Sequence, residues 1–450
     1  MDSQYKKYAE NAVHKALRSG ASMAEAYISS SKELEIEVRE QAVDTMKLAE
    51  DRGMGIRVFQ DGKNGFAFTT DLSDGAIDEA VRQALANARL SEPDEYRLLP
   101  RPAPSYPEMD LYDTAIRAAT VEEKIDMART MEKEARAADK RISIIESSTY
   151  HDGEAEVILV NSHGISLQYG VAYCGMYITL VAGQGEESQT GFAMKYGLRY
   201  ADLDPAALGR EAASRAVRML GARPVASRQA PVVLEPYVAT GFLGVLAPAL
   251  SAEAVQKGRS LFAGKVGQQV ASDQINIIDD GTLPGGIASA PFDGEGVPMS
   301  RTVLVQGGLL QGFLHNVYTA ARDGVLSTGN GTRGSFKGTP EVGTTNFFIE
   351  PGSQTPEQII GDIKSGLYVT EVMGLHTANP ISGDFSLGAS GLWIENGQLA
   401  YPVRGLAIAG NIMEMLGRVD AVGSDLQFFG TRGAPTIRVS RMSISGGGQA

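Results

Sequence analysis

Imidazoles and carboxylates are the side chains here best suited to bind a metal or move protons. The five histidines are His14, His151, His163, His315 and His376. A zinc helix needs two imidazoles on one face within a turn, and no pair here has that spacing. His14 should face solvent on its helix. His376 lies in a Gly-rich turn near Glu371 and Asp384, a grouping able to hold a metal or shuttle protons. Loop hydrogen bonding is the plainer expectation. Asp279-Asp280-Gly281 could be a metal pair, but neighbours on a strand point to opposite sides and both residues suit a turn, which is expected. Asp293 and Glu295, within Phe292 to Pro298, read as a tightly folded loop rather than an acid–base couple.

Gly329-Asn330-Gly331-Thr332-Arg333-Gly334 has the glycine spacing of a dinucleotide-binding loop. No buried strand leads into it, and Gly338 and Pro340 stand where a helix should start, so a flexible loop is expected. The sequence contains no Gly-x-Ser-x-Gly elbow, Walker loop or Cys-x-x-Cys pair. Trp393 reads as core.

The totals narrow the function classes. Forty-one Lys and Arg stand against 54 Asp and Glu, a net charge of −13, which repels phosphate backbones and anionic lipid heads. Neither nucleic acid nor membrane is an expected partner. Cys174 is the single cysteine, so no internal disulfide forms, and a reducing, cytoplasmic setting is expected. The start, Met1 to Lys7, runs into an amphipathic helix without a signal-peptide pattern. Pro236 to Ala252 is uncharged, yet too short to span a bilayer and flanked by Glu235 and Glu253, so a buried core helix is predicted.

With 450 residues, 43% of them hydrophobic, the chain can build two or three domains at roughly 150 residues each. The expected fold class is α+β. An N-terminal α+β domain spans 1–225, with an internal duplication over 1–90 and 112–222, and a Gly-rich, mainly β domain with a few helices spans 226–450. In the first copy, Tyr5, Ala9, Ala12, Val13, Ala16 and Leu17 share a helical face ended by Gly20. Leu34, Ile36 and Val38 alternate with charged residues as on a half-wet strand. Ile56 and Val58 lead through Asp61-Gly62 to Phe66 and Phe68 as a hairpin, and Ile77 to Ala88 forms the closing helix. In the second copy, Thr120 and Glu123 make a capping box ahead of Ile125, Ala128, Met131 and Ala135. Strands at 142–147, 156–160, 165–168 and 174–181 precede a helix bearing Leu208, Ala212, Ala216, Val217 and Leu220. Pro100 to Pro107 reads as an extended, solvated connector. In the second domain, hairpins turn at Gly307-Gly308 and Asn396-Gly397. A helix is capped by Thr355, with Pro356 first, Ile359, Ile360 and Ile363 inward and Gly366 past its end. Residues 445–450 should fray.

Several segments occur together in a distinctive way: Arg52-Gly53-Met54-Gly55-Ile56-Arg57-Val58, Gly264-Lys265-Val266-Gly267-Gln268, Phe292 to Pro298, Ser327-Thr328-Gly329-Asn330, Gly366 to Glu371, Ser382-Gly383-Asp384-Phe385-Ser386, Trp393 to Gly397, and Val422 to Leu426. With them the sequence resembles, over nearly its whole length, the TldD/PmbA family, historically called modulators of DNA gyrase. The resemblance implies a cytosolic zinc metalloprotease. Its TldD-like members carry His-Glu-x-x-x-His on a helix and a C-terminal cysteine. Here the matching positions are Leu243, Gly244 and Pro248, and no cysteine follows Cys174. Ala239-Thr240-Gly241 and Ala409-Gly410-Asn411 look like the PmbA, or TldE, branch.

The resemblance therefore implies no catalytic residue, no metal site and no cofactor in this chain, with zinc in a TldD-type partner. It implies a TldD/TldE heterodimer enclosing a chamber that cleaves unfolded peptides and, in some bacteria, matures a microcin-type peptide antibiotic or removes an antitoxin. This chain would form part of the wall. Gly374, His376, Asp384, Phe385 and Gly388, in the Gly-rich stretch from Met373 to Gly391, are the candidate contacts for substrate or partner. Two other classes stay open: a self-pairing homodimer that binds peptides without cutting them, and a hydrolase with a non-family metal site at His376, Glu371 and Asp384.

Overall fold

The computed structural model describes residues 3–447. Met1, Asp2 and the last three residues of the expected frayed tail lie outside them.

The N-terminal lobe runs α1 (Ser3–Arg18), β1 (Met23–Arg39), β2 (Ala42–Gln60), β3 (Lys63–Thr69), α2 (Asp74–Leu90), α3 (Thr114–Ala118), α4 (Val121–Ala138), β4 (Ile142–Asn161), β5 (Ser166–Gln184), β6 (Glu187–Gly197) and α5 (Pro205–Val217). All six strands form one antiparallel sheet, ordered β3-β2-β1-β4-β5-β6. Each half of it is entered and left through a helix. Alternation decides the layering. Ala24, Ala26, Ile28, Met54, Ile56 and Val58 face α1 and α2, and Cys174, Met176, Ile178 and Leu180 face α4 and α5. Burial among these apolar neighbours pushes the Cys174 thiol up to about 12, so it is an inert core residue. The odd-numbered face, with Tyr27, Val157 and Leu159, packs on Phe292 and Phe336 of the second lobe.

Local chemistry sets the ends of these elements. Thr120 and Glu123 form a reciprocal capping box on α4, and Asp61 and Gly62, both at positive φ, turn β2 into β3. Leu17 is 36% exposed rather than core. The four short segments expected in the second half are two long strands, β4 and β5, and β6 follows as a third. Serines, threonines and glycines hide the continuity. Gly153 lies beneath the ring of Tyr173 and Gly175 beneath that of Tyr196, so the missing side chains are replaced by a neighbour's ring. The Pro-rich connector is pinned, not fully solvated: Asn161 donates to Pro100 O, and the Tyr106 hydroxyl donates to Gly296 O.

The second lobe contains β7 (Ala226–Leu234), α6 (Pro236–Leu246), α7 (Ala252–Gln256), β8 (Ile277–Asp280), β9 (Arg301–Gln306), β10 (Leu309–Leu310), α8 (Val317–Asp323), β11 (Gly331–Thr332), β12 (Glu341–Val342), β13 (Phe347–Ile349), α9 (Pro356–Gly361), β14 (Ser365–Met373), β15 (Asp384–Glu395), β16 (Gln398–Asn411), α10 (Ile412–Gly417), β17 (Val419–Val422), β18 (Gln427–Phe429), β19 (Arg432–Ala434) and β20 (Ile437–Gly447). One sheet is ordered β16-β15-β14-β7-β20-β17, and β16 returns to pair with β20, closing it on itself. Ser445 and Gly446, expected to fray, are held in that pairing. The other main sheet is β10-β9-β8-β13-β19-β18. Gly366 lies inside β14 rather than capping α9. The chain is thus mixed α+β, with a mainly β second lobe. No helix among the described residues is long and apolar enough to cross a membrane.

Candidate functional site

Helix α6 starts where the buried strand β7 ends, with Glu235 preceding it and Pro236 at its first position. Val238, Phe242, Leu243 and Leu246 are all at most 2% exposed, each stabilising the fold by about 1.5–3 kcal/mol. They anchor α6 in the core between the two sheets. Ala247 to Leu250 then tighten into a 3-10 turn carrying Pro248.

Another face of α6 carries Gly241, Gly244 and, beyond the helix end, Pro248. A Cβ on Gly241 would meet Leu375 Cδ2 at 2.7 Å, and one on Gly244 would meet Arg432 Nη1 at 2.8 Å. The glycines let a leucine and a guanidinium rest against the helix backbone. A zinc ion needs imidazole, thiolate or carboxylate ligands. Leu243, Gly244 and Pro248 supply none, and the nearest polar group at Gly244 is a cation. These residues do not fit a zinc site.

Of the candidate contact residues, Gly374 adopts φ 80° and opens the 3-10 turn that seats Leu375 on α6. His376, in the same turn, is exposed. Asp384 is exposed, and hydrogen bonds from Asn411 and Ser382 hold its carboxyl below the usual range. Phe385 is buried, stacked edge-on against Phe242 of α6 at 5.1 Å. Gly388 pairs with Met373 across β14 and β15. The loop thus packs beside α6. Glu371, His376 and Asp384 do not form a metal-binding group; among the described residues no cluster of three such ligands occurs.

The densest polar chemistry lies elsewhere, within the second lobe and at its junction with the first. Asp279 and Asp280 sit on β8 rather than in a turn, both buried. Asp279 accepts from Asn330 Nδ2 at 2.7 Å and from Thr345 N and Oγ1 at 2.7 and 2.8 Å. Burial pushes its carboxyl up to about 6. Asn330 belongs to the segment expected to be a flexible loop. That segment is fixed instead, with Asn330 1% exposed and Gly331 N donating to Asp293 Oδ2 at 2.8 Å.

Asp293 also accepts from Glu295 N and Val297 N through Oδ1, and burial, with Glu295 beside it, pushes it up to about 7. Glu295 is likewise raised by burial. Its Oε1 lies 3.5 Å from Arg57 Nη1, and Arg57 Nη2 lies 3.0 Å from Glu25 Oε2. Arg333 pairs with the other oxygen of Glu25. Burial alone would raise the Glu25 carboxyl, but Arg333 and Arg57 outweigh it and hold it low. Glu25 and Arg57 come from the first lobe, Glu295 and Arg333 from the second. The Arg-Gly-Met-Gly-Ile-Arg segment now has a physical reason: Gly53 and Gly55 share the outer face of β2 with Arg57, and Phe336 lies directly on both. Two glycines two residues apart on a strand signal such close approach.

The PmbA/TldA metallopeptidase models match the chain in three pieces: domain 1 at residues 24–88, the central domain at 115–220 and the C-terminal domain at 227–446. Metalloprotease PmbA of Escherichia coli O157:H7 is 31% identical, the match covering 98% of this chain and 97% of that one. TldE from Thermococcus kodakarensis superposes with a TM-score of 0.91 at 26% identity, covering 97% of this chain and all of that one. A Thermotoga maritima MSB8 protein described as a modulator of a DNA gyrase gives 0.91 at 28% identity, covering 98% and 100%. Matched along all three of its parts, with the helix at Leu243 and Gly244 carrying no zinc ligand, this chain belongs to the PmbA/TldD metallopeptidase family, with PmbA- and TldE-named proteins among its full-length relatives.

Proposed function

We propose that this chain is the non-cleaving, PmbA/TldE-type subunit of a metalloprotease that processes unfolded peptides, and that a TldD-type partner supplies the zinc and the cut. The carrying observation is that Leu243, Gly244 and Pro248, the positions matching the zinc motif, offer no ligand, and that at Gly244 the guanidinium of Arg432 lies where a carboxylate would be needed. A zinc ion activates water only when its ligands hold it in an open coordination shell, so this chain must obtain hydrolysis from another. It contributes shape: a wall beside the Gly374 to Gly388 loop that admits an extended strand and excludes folded protein. Peptide-antibiotic maturation and antitoxin removal belong to this reading as substrates of the pair. Cytoplasmic location fits its single, buried thiol. The test is to prepare the chain alone and with a TldD-type subunit, and to measure solution mass, bound zinc and cleavage of an unfolded peptide. A complex that cuts, beside a lone chain that does not, supports the proposal; a lone homodimer that refuses the partner overturns it.

A further inference from the structure

A cleft of about 810 Å³ runs along β6 between the lobes. One side is Met194 to Tyr196 on β6; the other is Leu426 to Gly430, in and around β18. Both strands are the last in their sheets. Among the described residues no strand pairs with the outer edge of β6, so its outward main-chain groups are open to a further strand. Nearby, Tyr237 of α6 is wedged between Phe192 of β6 and Phe429 of β18, with ring centroids at 4.6 and 5.2 Å. The cleft is partly aromatic, and its charge is one-sided: Asp202, Asp204 and Glu211 face it against the single cation Lys195. Asp202 has no counter-ion among the described residues. Glu211 is paired with Arg215 at 2.8 Å, and Asp204 caps α5.

Charge selects the occupant. Nucleic acid is repelled, and so is a second copy of a chain with net charge −13. A peptide bearing lysine or arginine is attracted, and Tyr196, held rigid over Gly175, offers a ring for cation–π contact. We propose that this cleft binds a basic, extended peptide segment, which adds a strand to the free edge of β6 and sets cationic side chains against Tyr196, Asp202 and Glu211. This deepens the peptide-processing reading by naming a substrate class. Yet it concerns this chain alone, so loss of the catalytic partner would leave it standing.

The test uses the full chain and unstructured peptides of about a dozen residues, one rich in Arg and Lys, one neutral and one acidic, in about 0.15 M salt. Binding is read by fluorescence anisotropy. The basic peptide should bind roughly tenfold more tightly than the others. The isosteric pair Asp202→Asn and Glu211→Gln should weaken it about fivefold, whereas the remote pair Glu79→Gln and Asp126→Asn, removing the same charge, should not. Methylating alternate peptide nitrogens should also abolish binding. Equal loss in both variant pairs would show general charge attraction and overturn the proposal. Full binding of the methylated peptide, or self-association of the chain relieved by Tyr196→Ala, would overturn it too.

Discussion

The guanidinium of Arg432 rests against the backbone of α6 at Gly244, so close that a Cβ there would stand 2.8 Å from Nη1. Arg432 makes no ion pair among the described residues, and its side chain is long and free to swing. Gly244→Ala should therefore be tolerated, and replacing a helix-interior glycine should leave stability unchanged or raise it by up to about 1 kcal/mol. Urea denaturation reads this directly. A loss above about 1 kcal/mol would mean the arginine is fixed in place.

Gly53 makes the opposite prediction. Its added Cβ would run into the Phe336 ring, while one on Gly55 would run into the Phe336 carbonyl oxygen. Each alanine substitution should cost about 1–3 kcal/mol. Shortening Phe336 to Ala should recover much of the loss for Gly53→Ala and little for Gly55→Ala, whose obstacle is backbone. A double-mutant cycle by thermal unfolding measures that difference.

Glu25 holds two buried arginines. Glu25→Gln leaves Arg57 and Arg333 short of a charge partner, and removing one member of such a cluster costs about 3–5 kcal/mol. Limited proteolysis should then find the lobes separating, with cutting near the 331–337 segment that carries Arg333 and Phe336.

Asp293 gives a pH signature. Its folded-state value of about 7 lies above the ordinary 3.8. The stability from its bound proton is therefore fully present below pH 3.8 and lost as pH rises through 7. Asp293→Asn should be destabilising, because its amide would face the Gly331 N–H. The gap between wild type and variant should narrow from pH 5 to pH 8, read by urea midpoints. Glu25, held low, acts in the opposite sense and loses its contribution only in acid. A gap that stays constant or widens would contradict the assignment.

Periodic apolar residues made much of the architecture legible in sequence. The helical faces at Ile77 to Ala88 and Ile125 to Ala135 and the turns at Asp61-Gly62 and Asn396-Gly397 lie where their chemistry requires. Long strands with polar or glycine centres were less visible, since Gly153 and Gly175 carry no pattern until the rings of Tyr173 and Tyr196 cover them. The absence of zinc ligands at Leu243, Gly244 and Pro248 could be read only through resemblance. The polar junction could not be read at all. Asp279, Asp293 and Asn330 look like turn residues one at a time, and only their meeting across 51 positions of chain, as in the Asn330 to Asp279 hydrogen bond, makes them core.

Bound zinc and cleavage should be measured on the purified chain alone and on its complex with a TldD-type subunit. The lone chain should hold negligible zinc and leave an unfolded peptide uncut, with chelator-sensitive cutting only in the complex. Cutting by the lone chain that a chelator stops, and that survives Arg432→Ala but not His376→Ala, would contradict the non-cleaving role.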